Sequence, residues 1–174
     1  MAISYPLTMP TVTGIATIEM RAINAVAYSR SPFTFSGQVH AYAGQMWQAD
    51  VSLPPMRRGD AEVWLSWLVS LKGQLGTFKL GDPLGCMPRG SARDADTILV
   101  DGTVSSGGSI AIDSAPANQT NYLLAGDYMQ IGAGVNQQLF KVLQNVSTDG
   151  SGTATVDVWP NVRSSIANAT SVKV

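Results

Sequence analysis

Cysteine and histidine each occur once in the 174 residues, and charged residues make up only 13% of the chain. A single cysteine excludes an intrachain disulfide framework and a cysteine-based zinc site, and it fits a chain folded in a reducing cytoplasm. One imidazole, His40, and one thiol, Cys86, with the short acidic stretch DAD at 94 to 96, leave too few ligands for a transition metal or a calcium cage. Eleven Lys and Arg face twelve Asp and Glu for a net charge of −1, with no run of either sign. That balance lacks the clustered basic surface needed to displace counterions from nucleic acid. No window approaches the roughly 18 apolar residues of a membrane span. The opening MAISYPLTMPTVTGIATIEMRAINAV has no basic segment followed by a continuous apolar run, so it does not read as a secretory signal. The expectation is a soluble protein with no membrane span, no nucleic-acid partner and no cofactor.

What the chain does have is 45% hydrophobic residues, enough for one real core, and an abundance of Gly, Ser, Thr, Asn and Gln. Its exterior is therefore largely polar but uncharged. Few charges and a net charge near zero give little mutual repulsion in solution, a liability that vanishes for a subunit of an assembly. The organisation predicted is an extended N-terminal arm or set of strands over 1–30, followed by a single mainly-β domain over 31–174. The arm, weakly amphipathic, is suited to adding a strand to a neighbour's sheet.

The clearest strand lies within 33–53, where Trp47, Ala49, Val51 and Leu53 alternate with Gln48, Asp50 and Ser52 before Pro54-Pro55 ends ladder donation. Phe33 and Phe35, flanking Thr34, are expected to form an upstream run pairing with it as a hairpin. One segment has helical period: over 60–72, Ala61, Trp64, Leu65, Leu68 and Leu71 share a stripe, with Asp60 as N-cap and Gly73 at C′. Val63 and Trp67 lie off that stripe, so this amphipathic helix is apolar around most of its circumference and is expected to be buried on two sides, the second by another sheet or another subunit. Over 95–174 the runs TILVDG, GSIAIDS, YLLAGDYMQIG, QQLFKVLQNV and TATVDVWP are short, rich in β-formers and separated by turn residues, with Asp149-Gly150 as a hairpin signal. Such spacing without intervening helices predicts an antiparallel β-sandwich or small β-barrel, with one central helix elsewhere in the chain.

The loop GTFKLGDPLGCMPRG, residues 76–90, has the composition of a phosphate cradle but fails its template. From Gly76 the spacing reaches Gly81, and the next residues are Asp82 and Pro83: a negative charge where a lysine should stand, and a residue without an N–H. No strand–Gly–helix unit surrounds it, so it is not a dinucleotide fingerprint either. Cys86 and His40 carry no activating motif, no Gly-x-Ser-x-Gly elbow occurs, and nothing marks a pair among the acids for glycoside cleavage. The reading is of a non-catalytic protein. Four tryptophans, Trp47, Trp64, Trp67 and Trp159, raise sugar stacking as an alternative, a carbohydrate-binding module for host adsorption, although three of them have core duties in the predicted elements.

Taken in order, SPFTFSGQVHAYAGQMWQADVSLPPMRRGDAEVWLSWLVSLKGQLGTFKLGDP, then PRG, then LLAGDYMQIG and LFKVLQNVSTDGSGTATVDVWPNVRSS resemble tail structural proteins of tailed bacteriophages and prophages, of the minor tail or distal tail type. The likeness runs from about residue 31 onward and rests on the order of a Trp-bearing strand, a Leu-Pro-Pro-Met turn, a Trp-rich helix, a Gly-Asp-Pro corner and a Trp-Pro-x-x-Arg ending. It implies a virion component made in the host cytoplasm and assembling as a ring or collar at the tail tip, hexameric or trimeric. Its partners would be other tail proteins: tail tube, tail hub and tape measure. It supplies no catalytic residue. Candidate subunit-contact residues are Trp67, off the main helix stripe, Arg57 and Arg58 just ahead of the helix, and Arg89 in the 76–90 loop.

Overall fold

Alternation of branched apolar and polar residues dominates the C-terminal half, and it closes a barrel. The computed structural model describes residues 3–174. Its elements in chain order are β1 (Thr17–Arg30), β2 (Gly37–Ser52), α1 (Arg58–Ser70), β3 (Ile98–Val100), β4 (Gly107–Asp113), β5 (Tyr128–Ile131), β6 (Gln138–Val142), β7 (Ala154–Val162) and β8 (Ser171–Lys173). The last six form a closed antiparallel barrel in the order β3-β4-β7-β6-β5-β8, so the protein is mainly β with a small barrel rather than a sandwich.

The period-2 pattern explains which residues fill the interior. Ile98 and Val100 from β3, Ile110 and Ile112 from β4, Met129 and Ile131 from β5, Phe140 and Val142 from β6, Val156 and Val158 from β7 and Val172 from β8 are all buried in one cluster. Each such side chain contributes about 1.5–3 kcal/mol over its exposed state. Closure also removes the sheet edges that an open six-stranded sheet would leave for aggregation. The strands are short, three to nine residues, and all five apolar runs of 95–174 contribute one.

Between β6 and β7 the turn differs in detail from a two-residue Asp-Gly hairpin. Asp149 accepts from the backbone N–H groups of Ser151 and Thr153 at 2.8 and 2.9 Å and from both hydroxyls, and the residue with left-handed φ is Gly152, not Gly150. A Cβ on Gly152 would collide with the Ala115 carbonyl oxygen, so close backbone approach as well as φ requires glycine there.

The chain divides into two compact units, one of Met1–Ile23 with Trp47–Asp82 and one of Asn24–Met46 with Pro83–Val174. Residues of the expected 1–30 arm are thus shared between them. Within the first unit the N-terminal stretch is tied down: the Tyr5 hydroxyl donates to the Ser70 carbonyl at 2.7 Å, Leu7 N–H to Thr77 at 2.8 Å, and Trp64 Nε1 to Thr13 Oγ1 at 2.9 Å. A segment held this way by its own unit is not a free arm. The division between Asp82 and Pro83 puts the 76–90 loop at the passage from one unit to the next.

β1 and β2 pair with each other as a two-stranded sheet, which corrects the expected pairing of the Phe33–Phe35 run. Those phenylalanines are the turn. Ser31 Oγ accepts from the N–H groups of Phe33 and Thr34, both at 3.3 Å, and a side chain that satisfies turn donors competes with ladder formation. In α1, Arg57 rather than Asp60 is the N-cap: its backbone is extended and its carbonyl accepts from Ala61 at 3.0 Å, while Asp60 lies inside the first turn where the helix dipole favours an acid. At the other end Leu71 is the C-cap, Lys72 takes the left-handed C′ position at φ 50°, and Gly73 follows it.

The fully accepting Asp149 carboxylate is held well below its ordinary value of 3.8, chiefly by the Thr153 and Ser151 donors. A depressed folded-state value contributes stability above the unfolded value and loses it as pH falls through the folded one. Asp149→Ala should therefore lower Tm by several degrees at neutral pH, and the gap from wild type should narrow progressively below pH 3.8. A thermal melt series against pH checks both; a gap that widens in acid contradicts the assignment.

Candidate functional site

The surface of the first unit is built around α1, and its two sides differ. Trp64 and Leu71 are buried, Ala61 and Trp67 are half-buried, and Val63, Leu65, Leu68 and Val69 are exposed. Among the described residues none supplies the expected second burial, and an apolar row is left uncovered. On the buried side the aromatic rings pack edge to face: Trp64 against Trp67 with centroids 5.8 Å apart, and Trp67 against Phe78 at 4.9 Å.

Trp67, one of the four candidate contact residues, lines a cavity of about 280 Å³ with Met9, Val51, Leu68, Phe78 and Leu80 among its other walls. Its indole Nε1 is buried without an acceptor among the described residues. An unsatisfied buried donor costs about 1–3 kcal/mol. Arg57 and Arg58 stand exposed at the start of the helix, and Arg58 Nε lies 3.5 Å from Glu62 one turn on.

Arg89 is in the other unit, and its role there is internal as well as superficial. The corner Ala125–Gly126–Asp127 presents a carboxylate that is only 4% exposed. Asp127 accepts from the N–H groups of Arg89 at 3.0 Å, Gly90 at 3.3 Å and Leu124 at 2.9 Å, with Arg89 Nε 3.5 Å away. The Arg89 guanidinium also donates to the Ala125 carbonyl. The segment Pro88–Arg89–Gly90 is thus latched to the Gly-Asp corner, and Gly90 passes so close to the Tyr122 carbonyl that no Cβ fits. Nearby, the buried Tyr122 phenol donates to Asp96 at 2.9 Å, and burial first, then that carboxylate, pushes its pKa up.

A second cavity, about 400 Å³, lies in the barrel unit between Ile131, Asn136, Gln138, Ser164 and Thr170. No acid, base or thiol lines it. The Gln138 amide is occupied, donating to the Ser164 carbonyl and accepting from Arg163 N–H at 3.1 Å each. Elsewhere, Cys86 and His40 are both exposed, and no group of three potential metal ligands occurs among the described residues. None of the four indoles is exposed; the Trp159 Nε1–H donates to Asn24 Oδ1 at 2.7 Å.

What sequence reasoning missed is the outer part of the hairpin. Residues 21–30 and 37–44 are exposed throughout, including Val26, Tyr28, Val39 and Tyr42. Bonds from β7 within the barrel unit reach the hairpin, the one from Trp159 to Asn24 and another from Asn161 N–H to Gln45 Oε1 at 2.6 Å. The alternation Val26, Tyr28 and Val39, Ala41 was a signal for a strand, but solvent on both faces cannot be read from it. Comparison with protein-family models and with curated proteins finds no match to this sequence.

The latch at Asp127 separates stability from surface role. Asp127→Ala leaves three part-buried backbone donors without their acceptor and should destabilise the barrel unit by about 3 kcal/mol. Arg89→Ala removes a side chain that is 65% exposed and should cost under about 1 kcal/mol. Urea denaturation of the two variants checks the order; equal losses contradict it.

Proposed function

We propose that this protein is a structural virion component of a tailed bacteriophage, a minor tail or distal tail protein that acts by assembling as a ring or collar at the tail tip. The observation that carries the assembly half of this reading is the outer hairpin. Natural edge strands are blunted by lysines, prolines or bulges, because unpaired N–H and C=O groups recruit other strands. Here Ala22–Ser29 and Gly37–Ala49 contain no acid, no lysine or arginine and no proline, and the strands are 14 and 16 residues long. The uncharged stretches span roughly 26 and 43 Å, and two strands alone are marginal in water. A surface left sticky over such a length is a surface meant to be covered.

The phage half rests on the order of motifs set out above, with partners among the tail tube, tail hub and tape measure proteins, and with a trimeric or hexameric ring. The low charge and the bare outer row of α1 agree with a subunit whose interfaces are its function. No observation favours the sugar-binding reading, since it needs an exposed indole.

Two measurements test the two halves separately. Light scattering should give the wild-type protein a mass of three or six chains, and Val26→Lys with Tyr42→Lys should reduce it to one chain with unchanged circular dichroism, because both side chains are exposed in the single chain. Mass spectrometry of purified phage tails should find the protein in the particle. A monomeric wild type removes the assembly half, and absence from the particle removes the phage half.

A further inference from the structure

We infer that the hairpin tip of one copy seats its Phe33 side chain in the Trp67–Phe78 cavity of a second copy; this rests on the assembly reading and names its contact. The tip is the first observation. Phe33 is 91% exposed and Phe35 is 65% exposed. The turn that carries them is nevertheless fixed. Ser31 N–H donates to the Ser36 carbonyl at 2.9 Å, Ser31 Oγ accepts from the Phe33 and Thr34 N–H groups, and the Arg30 guanidinium stacks 4.6 Å over the Phe35 ring. Phe35 itself is held at φ 56°, an unusual conformation for a bulky residue. A rigid turn presenting an aromatic ring to water is preorganised to bind, since little freedom remains to be lost.

The cavity is the second observation. Its walls are Met9, Val51, Trp67, Leu68, Phe78 and Leu80, with no charged side chain among the lining residues, and its volume is about 280 Å³. An apolar cavity of about 150 Å³ takes a benzene ring, so this one holds a phenyl group with space for the turn that carries it. Area favours a whole copy over a small ligand. Phe33, Phe35 and the nearby Tyr28, which are 91%, 65% and 63% exposed, can together bury roughly 330–550 Å², about half of the roughly 800 Å² per partner of a stable interface. Leu68 and Val69, 51% and 75% exposed, offer matching apolar surface at and beyond the cavity wall.

Knob and cavity are different patches of one chain, so one copy can engage two others, and repeating the contact about a threefold or sixfold axis closes a ring. This predicts complementation. Phe33→Ser has a sound cavity and no knob; Leu68→Glu has the knob and a charged cavity mouth. Both positions are at least half exposed, so both variants keep the wild-type circular dichroism. By light scattering each should be monomeric alone, and an equimolar mixture should form a 1:1 heterodimer that grows no further. Either variant keeping the wild-type oligomer mass overturns the contact, as does a mixture that stays monomeric. A wild type that is monomeric also overturns it, and the presence of the protein in purified tails then decides independently whether the phage reading stands and the cavity serves another tail protein.

Discussion

A two-stranded ribbon with water on both faces has nothing to bury and two rows of unpaired peptide groups to satisfy. That constraint governs this protein more than any single side chain does. In the outer hairpin, residues 21–30 and 37–44, the peptide groups of each strand can pair on one side only, and valine and tyrosine side chains face solvent. Water satisfies the free groups, but it leaves the apolar surface unpaid for by burial, and Ala22–Ser29 and Gly37–Ala49 omit the charges and prolines that would discourage a partner. Everything proposed for function follows from asking what resolves that state.

The barrel answers why such a hairpin can exist at all. Six short strands closed on themselves need no neighbour, and their interior of Ile, Val, Met and Phe is complete within one chain. A self-sufficient unit can hold an unsatisfied element without unfolding. Among the bonds that hold it are Trp159 to Asn24 and Asn161 to Gln45, both between β7 and the hairpin. In the other unit the aromatic cluster of Trp64, Trp67 and Phe78 does similar service for α1, while the outer leucines and valines stay bare.

Much of the barrel was legible in the sequence because period-2 alternation is local: all five apolar runs beyond residue 95 became strands, and α1 was found within two residues at each end. Turn glycines were less legible. Gly150 looked like the hairpin residue, but Asp149 reaches forward to Ser151 and Thr153 and moves the left-handed position to Gly152. The Phe33–Phe35 run was misread as strand because its propensity is β-like, whereas the Ser31 hydroxyl captures the turn donors. Among candidate contact residues, Arg57, Arg58 and Trp67 share one unit and Arg89 sits in the other, where a buried carboxylate engages it. No pattern in the sequence announces that Asp127 would be that buried partner, because its donors come from three backbone N–H groups.

The central claim is that the hairpin is covered in the working state of the protein. Hydrogen–deuterium exchange over residues 21–30 and 37–44, followed as protein concentration rises, reads this directly, with the barrel strands as an internal standard already protected in a single chain. The hairpin amides should exchange rapidly in dilute solution and slow by at least tenfold as the oligomer forms, while the barrel amides stay constant. Hairpin amides that remain as fast in the assembled protein as in dilute solution would contradict it.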